Sequence, residues 1–220
     1  MNAVNAVPVV GTPLAYGLGS LVLLMVAFTD SWGRSLVTVA HEGGHAAVGV
    51  LTFRGLRGFD LHDGGGGLTD FDRLYWSISD LLMRIAGYPT PPLLGLGGAV
   101  LVSRGQTDSV LWIGLVLLIA MFLIARNKLA ILVTLLAVLG VGWVVFAGGP
   151  IIRAAVAVTL VWWMLIGGAY WATTGLFRGG TQDASMLEKR TWIPRVVWDL
   201  GFAAVGIVCV WVGGKLLLRP

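Results

Sequence analysis

Seven apolar stretches divide the 220-residue chain, at roughly 14–29, 35–53, 82–103, 109–125, 129–147, 151–177 and 196–218. Most are long enough to cross a bilayer core of about 30 Å at a helical rise of about 1.5 Å per residue. The first is short, bounded by Asp30 and then Arg34. The third is interrupted by Tyr88-Pro89-Thr90-Pro91-Pro92. Prolines this dense end or kink a helix, so the segment reads as two half-helices or a re-entrant loop. Such a break is tolerated only where protein or a water-filled cavity covers the freed backbone groups. Between the second and third stretches lies the longest polar segment, from Arg54 to Asp80. Leu56, Phe59 and Leu61, then glycines 64 to 67, then Leu68 and Phe71 predict a small β-hairpin with a glycine turn. Two isolated strands are marginal in water, so this pair has to lean on the bundle. The pattern therefore predicts an all-α membrane protein: a multi-pass bundle of about six or seven transmembrane segments, with a β-hairpin after the second.

Composition agrees. Hydrophobic residues make up 57% of the chain and charged residues 12%, well below the roughly 25% of a soluble domain. Mean hydropathy is +0.86. Little length remains for a soluble domain, so residues 1–220 read as one integral-membrane unit. It divides into a helix over 35–53, a hairpin loop over 54–80, and a loop with the last span over 178–218. The net charge of +4 lies in the loops, with no basic cluster among aromatics, which argues against a nucleic-acid partner. Cys209 is the single cysteine, which excludes an internal disulfide and a thiolate metal site. The amino-terminal run MNAVNAVPVVGTP has no basic region or cleavage site, so the first apolar stretch is expected to be retained. With seven crossings, ten lysines and arginines fall on the amino-terminal side and five on the other, which predicts a cytoplasmic amino terminus. The hairpin and the 178–195 loop would share that side.

The second stretch holds His41-Glu42-Gly43-Gly44-His45. Imidazoles four residues apart lie on one helical face, as two ligands of one metal must. Glu42 points about 100° away from His41, close to such a metal but free to act as a general base. Ionisable groups at bilayer depth cost about several kcal/mol unless they are paired, metal-bound or wetted. Ser35, Thr38, His41, Glu42, His45 and Thr52 form a polar stripe expected to face the bundle interior. Two histidines leave a hydrolytic site one ligand short. His62, in the glycine-rich loop, reads as a solvated residue, so a carboxylate is the expected third ligand. Asp183 and Asp199 are the candidates. Asp30, Asp60, Asp63, Asp70, Asp72, Asp80 and Asp108 read as solvated, and Glu188, Lys189 and Arg190 as a polar face at the membrane surface. Trp171 and other tryptophans near span ends read as interfacial anchors, whereas Trp143, Trp162 and Trp163 read as packing.

Three patches carry a family resemblance: His41 to His45 with Ala46-Ala47; the hairpin with Gly87-Tyr88-Pro89 and Pro92-Leu93-Leu94-Gly95; and Gln182-Asp183-Ala184, Leu187, Thr191, Pro194 and Trp198. Together they make the chain resemble the site-2-protease family of intramembrane zinc metalloproteases, peptidase family M50, in its compact bacterial M50B-like branch. The resemblance implies a helical membrane core with one zinc ion inside the bilayer of a bacterial cell membrane. It also implies a substrate that is a transmembrane segment of another membrane protein. The branch's Ser-Asp-Ala … Leu … Thr-x-x-Pro pattern falls on residues 182–194, with Gln182 in place of serine, and nominates Asp183 beside His41 and His45. Larger members carry Asn-x-x-Pro-x4-Asp-Gly. Thr191 to Pro194 with Asp199 and Gly201 echoes it loosely and keeps Asp199 open. The implied mechanism is attack by zinc-activated water with Glu42 as general base. The rival reading is a membrane transporter, or a proton or metal pathway, that uses His41, Glu42 and His45. A catalytically silent scaffold is a third. Substrate identity and oligomeric state are not encoded in any motif.

Overall fold

A computed structural model describes residues 12–28, 32–72 and 78–218. Helices α1 (Thr12–Phe28) and α2 (Trp32–Leu51) meet at 93°. The chain then forms strands β1 (Leu56–Leu61) and β2 (Gly67–Phe71), antiparallel, with Leu61 opposite Gly67 and Leu56 opposite Phe71. Helices α3 (Ile78–Ala86) and α4 (Thr90–Ser103) follow and meet at 62°. The break falls where the prolines predict it. Pro91 and Pro92 occupy the first turn of α4, where a missing N–H costs no helical hydrogen bond. The Thr90 hydroxyl bonds back to the Ala86 carbonyl at 2.7 Å and satisfies a group the break releases.

Helices α5 (Thr107–Ile124) and α6 (Lys128–Ala147) form an antiparallel pair. Helix α7 (Pro150–Trp162) runs through a π-turn at Trp163–Gly167 into α8 (Gly168–Phe177). Helices α9 (Gln182–Thr191) and α10 (Arg195–Leu217) end the chain. Among the described residues four helices are long and apolar enough to cross a membrane: α5, α6, the continuous Pro150–Phe177 rod and α10. The number rises to six if the two bent pairs each make one crossing. The lower count has a physical cause: α1 has 17 residues, α2 carries Arg34, His41, Glu42 and His45, and the third stretch is split by its prolines. Six crossings would also undo the ten-to-five division of basic residues, which assumes seven.

The hairpin leans on the bundle, as two lone strands must. It folds back along α2 instead of leaving it. The Thr38 hydroxyl donates to the Gly65 carbonyl at 2.6 Å, and the Arg34 guanidinium reaches the Gly64 carbonyl at 3.4 Å. Phe59 and Leu61 are buried with Val39 of α2, Met121 of α5 and Ala130 of α6. The outer edge of β1 is covered by the α5–α6 turn. Arg126 N–H donates to the Phe59 carbonyl at 3.0 Å, and the Asn127 amide bonds both backbone groups of Leu61 while capping α6. Among the described residues the sheet has two strands, and the outer edge of β2 has no strand partner.

A central core joins α1, α4, the α7–α8 rod and α10 around Val22, Ala99, Val158, Val161 and Leu165. Small residues let these helices touch: a Cβ at Gly206 would stand 2.8 Å from the Ala169 Cα. Trp162 and Trp163 pack inward as expected, donating to the carbonyls of Ala15 (3.1 Å) and Gly33 (3.0 Å). Trp143 does not. It is 60% exposed on an apolar outer face of α6, in a position to meet lipid.

Gly49 marks the tightest joint between α2 and the hairpin, since a Cβ there would come within 2.0 Å of the Phe71 ring. Gly49→Ala is expected to destabilise the fold by about 1–3 kcal/mol through overpacking, read as a lower melting temperature in detergent. Gly140→Ala, where nothing lies within 4 Å, serves as the control and should leave melting unchanged or slightly raised.

Candidate metal centre

His41 and His45 sit in the middle of α2 and turn their Nε2 atoms toward each other, 3.1 Å apart. The Asp183 Oδ2 atom completes a triangle, 3.2 Å from His41 Nε2 and 3.3 Å from His45 Nε2. The edges of a tetrahedron around zinc, at ligand distances of about 2.0–2.1 Å, measure about 3.3 Å. The three donors thus hold the spacing of one face of such a polyhedron. Among the described residues this is the group of His, Cys, Asp and Glu side chains able to share a metal ion. The donor chemistry also fits. Asp183 Oδ2 is buried and accepts no hydrogen bond, which leaves a lone pair for a cation. The Met83 carbonyl lies 2.7 Å from His45 Nδ1. A carbonyl can only accept, so Nδ1 carries the proton and Nε2 presents its lone pair inward.

Several backbone features make this approach possible. Gly87, in the α3–α4 break, lies against both imidazoles, where a Cβ would stand 2.6 Å from each ring. The Tyr88 ring packs edge-on against His41 at 4.6 Å and stacks on Phe202 of α10 at 5.2 Å. The split third segment therefore forms one wall of the site.

Asp183 belongs to the first turn of α9, although the sequence reading has residues 178–195 as a loop. Thr181 starts that helix: its hydroxyl accepts from Ala184 N–H at 3.2 Å, as an N-cap should. Asp199 takes no part in the triangle. Its Oδ1 accepts from the Thr181 N–H at 3.1 Å and from the Thr181 hydroxyl at 2.7 Å, and Arg195 lies 3.8 Å from its Oδ2. One aspartate thus approaches the imidazoles while the other fixes the cap that aims it.

Glu42 is buried, at 3% exposure. Its Oε2 accepts from the Thr69 hydroxyl of β2 at 2.5 Å, so the hairpin fixes its orientation. Glu42, both histidines, Asp183 and Tyr88 all line one cleft of about 410 Å³ with Gly67 and Thr69. His62 stays apart in the exposed hairpin turn, where its backbone bonds Gly65 and Gly66. Asp80 corrects the sequence reading: it is 1% exposed, with Arg54 (3.7 Å), Arg84 (3.4 Å) and Arg190 (3.7 Å) around it. Arg190 therefore ties the far end of α9 to α3 in addition to meeting solvent. The sequence reading also missed Met83, whose carbonyl acts irrespective of its side chain, and Thr181.

A family model described as Peptidase M50B-like matches residues 14–213. The chain belongs to the Peptidase M50B-like family. No curated protein and no solved structure matches it. Membership of this M50 branch supports an intramembrane metalloprotease, and M50 enzymes are zinc metalloproteases. The M50B-like match runs from α1 almost to the end of α10, so it takes in every residue of the triangle.

Removal of the carboxylate and removal of its support should differ. Asp183→Ala is expected to reduce bound zinc from near one per chain to near none after dialysis. Asp199→Ala should weaken affinity by about 10–100-fold while leaving a site that excess zinc refills. Asp199→Asn keeps an acceptor for Thr181 and should retain the metal. Equilibrium zinc titration separates the three.

Proposed function

We propose that this M50B-like chain is a zinc endopeptidase that hydrolyses a peptide bond in or near a transmembrane segment of another membrane protein. The observation that carries the reading is the tetrahedral-edge spacing of His41, His45 and Asp183, with Glu42 in the same cleft. When held by those three side chains, zinc would polarise a carbonyl and acidify water, the Lewis-acid chemistry such a site supplies.

The residues divide the remaining work. Glu42 takes a proton from water as the water oxygen adds to the peptide carbonyl carbon. It returns that proton to the nitrogen as the carbon–nitrogen bond breaks. Thr69 holds one carboxylate oxygen of Glu42 by a hydrogen bond and leaves the other for the transfer. Met83 keeps His45 in the tautomer that can ligate.

Backbone access is the second requirement, because a helical substrate hides its carbonyls in its own hydrogen bonds. The free edge of β2 supports an answer. Its neighbour β1 is already bonded to the α5–α6 turn, so among the described strands β2 has the edge open to an added strand, and β2 lines the cleft beside Glu42. An unwound substrate segment lying on that edge would have its backbone groups satisfied while its carbonyl meets the metal centre. A cytoplasmic opening of the cleft and a bacterial cell membrane remain part of this reading, along with contact with the surrounding bilayer.

The test is cleavage by purified, zinc-loaded protein in lipid nanodiscs, with single-span test substrates. The chain as it stands should cleave, and chelation should stop it. Glu42→Gln should keep about one zinc per chain and lose at least about a hundredfold in rate. Cleavage retained by that variant contradicts the mechanism. Zinc or proton flux across vesicles, lost in the same variant, would favour the transport reading instead.

A further inference from the structure

At the mouth of the same cleft, two arginines from different helices converge on one tryptophan. The Arg34 guanidinium, near the start of α2, lies 4.8 Å from the Trp171 ring centroid. The Arg178 guanidinium, at the end of α8, lies 6.0 Å from it. All three side chains line the cleft with His41 and Asp183. Stacking on an indole holds a guanidinium in place while leaving its in-plane N–H donors free to meet a carboxylate or phosphate.

The corner is rich in donors and poor in acceptors. Among the described residues neither Arg34 nor Arg178 has a carboxylate within ion-pair distance. Arg34 makes one long bond, 3.4 Å, to the Gly64 carbonyl. The Trp171 indole N–H is buried without an acceptor. The two acidic groups lining the cleft are committed: Glu42 to Thr69, and Asp183 to the imidazoles. Arg84, the other arginine lining the cleft, is paired with Asp80. Positive charge at the mouth is therefore unbalanced, and an anion is the missing partner.

The location says which anion. Arg34 precedes His41 by seven residues, close to two helical turns, so both face the same side of α2 about 10 Å apart. An extended chain advances about 3.3–3.4 Å per residue, so about three residues span that distance. A side chain three positions from the reacting carbonyl would reach the arginine pair while its backbone stays on the β2 edge. A lipid phosphate at the membrane surface has no such register with the metal centre.

We propose that Arg34 and Arg178, held against Trp171, form a subsite for an acidic side chain of the substrate about three residues from the scissile bond. The inference rests on the peptidase reading for its register and names a substrate class: transmembrane segments flanked by aspartate or glutamate. The subsite selects by charge-assisted, two-pronged hydrogen bonding that an amide isostere cannot match.

The test uses pairs of labelled single-span peptides identical except for Asp or Asn, scanned through successive positions along the juxtamembrane region. Binding is measured by fluorescence anisotropy to the zinc-loaded Glu42→Gln protein in phosphatidylcholine nanodiscs. Cleavage by the unsubstituted protein is followed separately by mass spectrometry. At one position, three residues from the bond that is cut, the Asp peptide should bind roughly tenfold more tightly than its Asn twin. Introducing Arg34→Gln with Arg178→Gln should bring that ratio within about twofold of one. The exposed Arg178→Gln change alone should lower it partway, which guards against a double variant that fails to fold. Arg34→Glu with Arg178→Glu should transfer the preference to Lys peptides. A ratio near one at every position, or a preference that survives the double substitution, overturns the subsite. Loss of affinity for phosphatidylglycerol vesicles in the double variant, with no Asp-to-Asn ratio, overturns it in favour of a lipid site. An Asp preference without any cleavage upholds the anion subsite and contradicts the peptidase reading.

Discussion

Two imidazoles and a carboxylate pressed together inside an apolar bundle set the terms for the rest of this fold. Each group would cost about several kcal/mol at that depth without compensation. At 3.1–3.3 Å spacing they leave lone pairs directed at a common point, where a bound cation would offset that cost. That arrangement demands that α2 and α9, far apart in sequence, meet with little tolerance. Much of the surrounding packing can be read as the means of holding them there.

Helix α9 is short and polar, and little in its own composition would fix it. It is held at both ends by buried carboxylates. Asp199 of α10 binds the Thr181 cap at one end, and Asp80 of α3 meets Arg190 at the other. Helix α3 then contributes twice more, through the Met83 carbonyl behind His45 and through the Gly87 turn that lets the backbone lie against both rings. The proline break that shortens the third apolar segment is thus what brings a free carbonyl and a glycine to the site. A continuous helix there would have kept its carbonyls bonded to itself. The hairpin acts on the other side, where Thr69 orients Glu42 and the covered β1 edge leaves β2 as the open one.

Much of this was legible in the sequence because it depends on local patterns. Apolar run lengths marked the long helices within a few residues, and alternation with a glycine turn marked the hairpin. Helical periodicity put His41 and His45 on one face, and the prolines announced the break before α4. What escaped is tertiary. Nothing in the sequence signalled the 93° angle between α1 and α2, so the first two runs read as separate crossings. Asp80 looked solvated because the arginines that bury it come from three separate places in the chain. Residues 178–195 looked like a loop because α9 has low hydrophobicity, and a Thr N-cap is a weak signal until its partner at Asp199 is known. The choice between Asp183 and Asp199 could not be made from spacing, since both lie near the same end of the same helical hairpin. Trp171 read as a membrane anchor, and only its two arginine neighbours show it lining a cleft.

The central claim is that one divalent cation is bound by His41, His45 and Asp183. X-ray absorption at the zinc edge, on protein purified without chelator, addresses it most directly. The account expects about one zinc per chain, with two imidazole nitrogens and carboxylate or water oxygens at about 2.0–2.1 Å and no sulfur. A spectrum with sulfur neighbours, or with a single imidazole, or a preparation that cleaves its substrate without any bound metal, would contradict it.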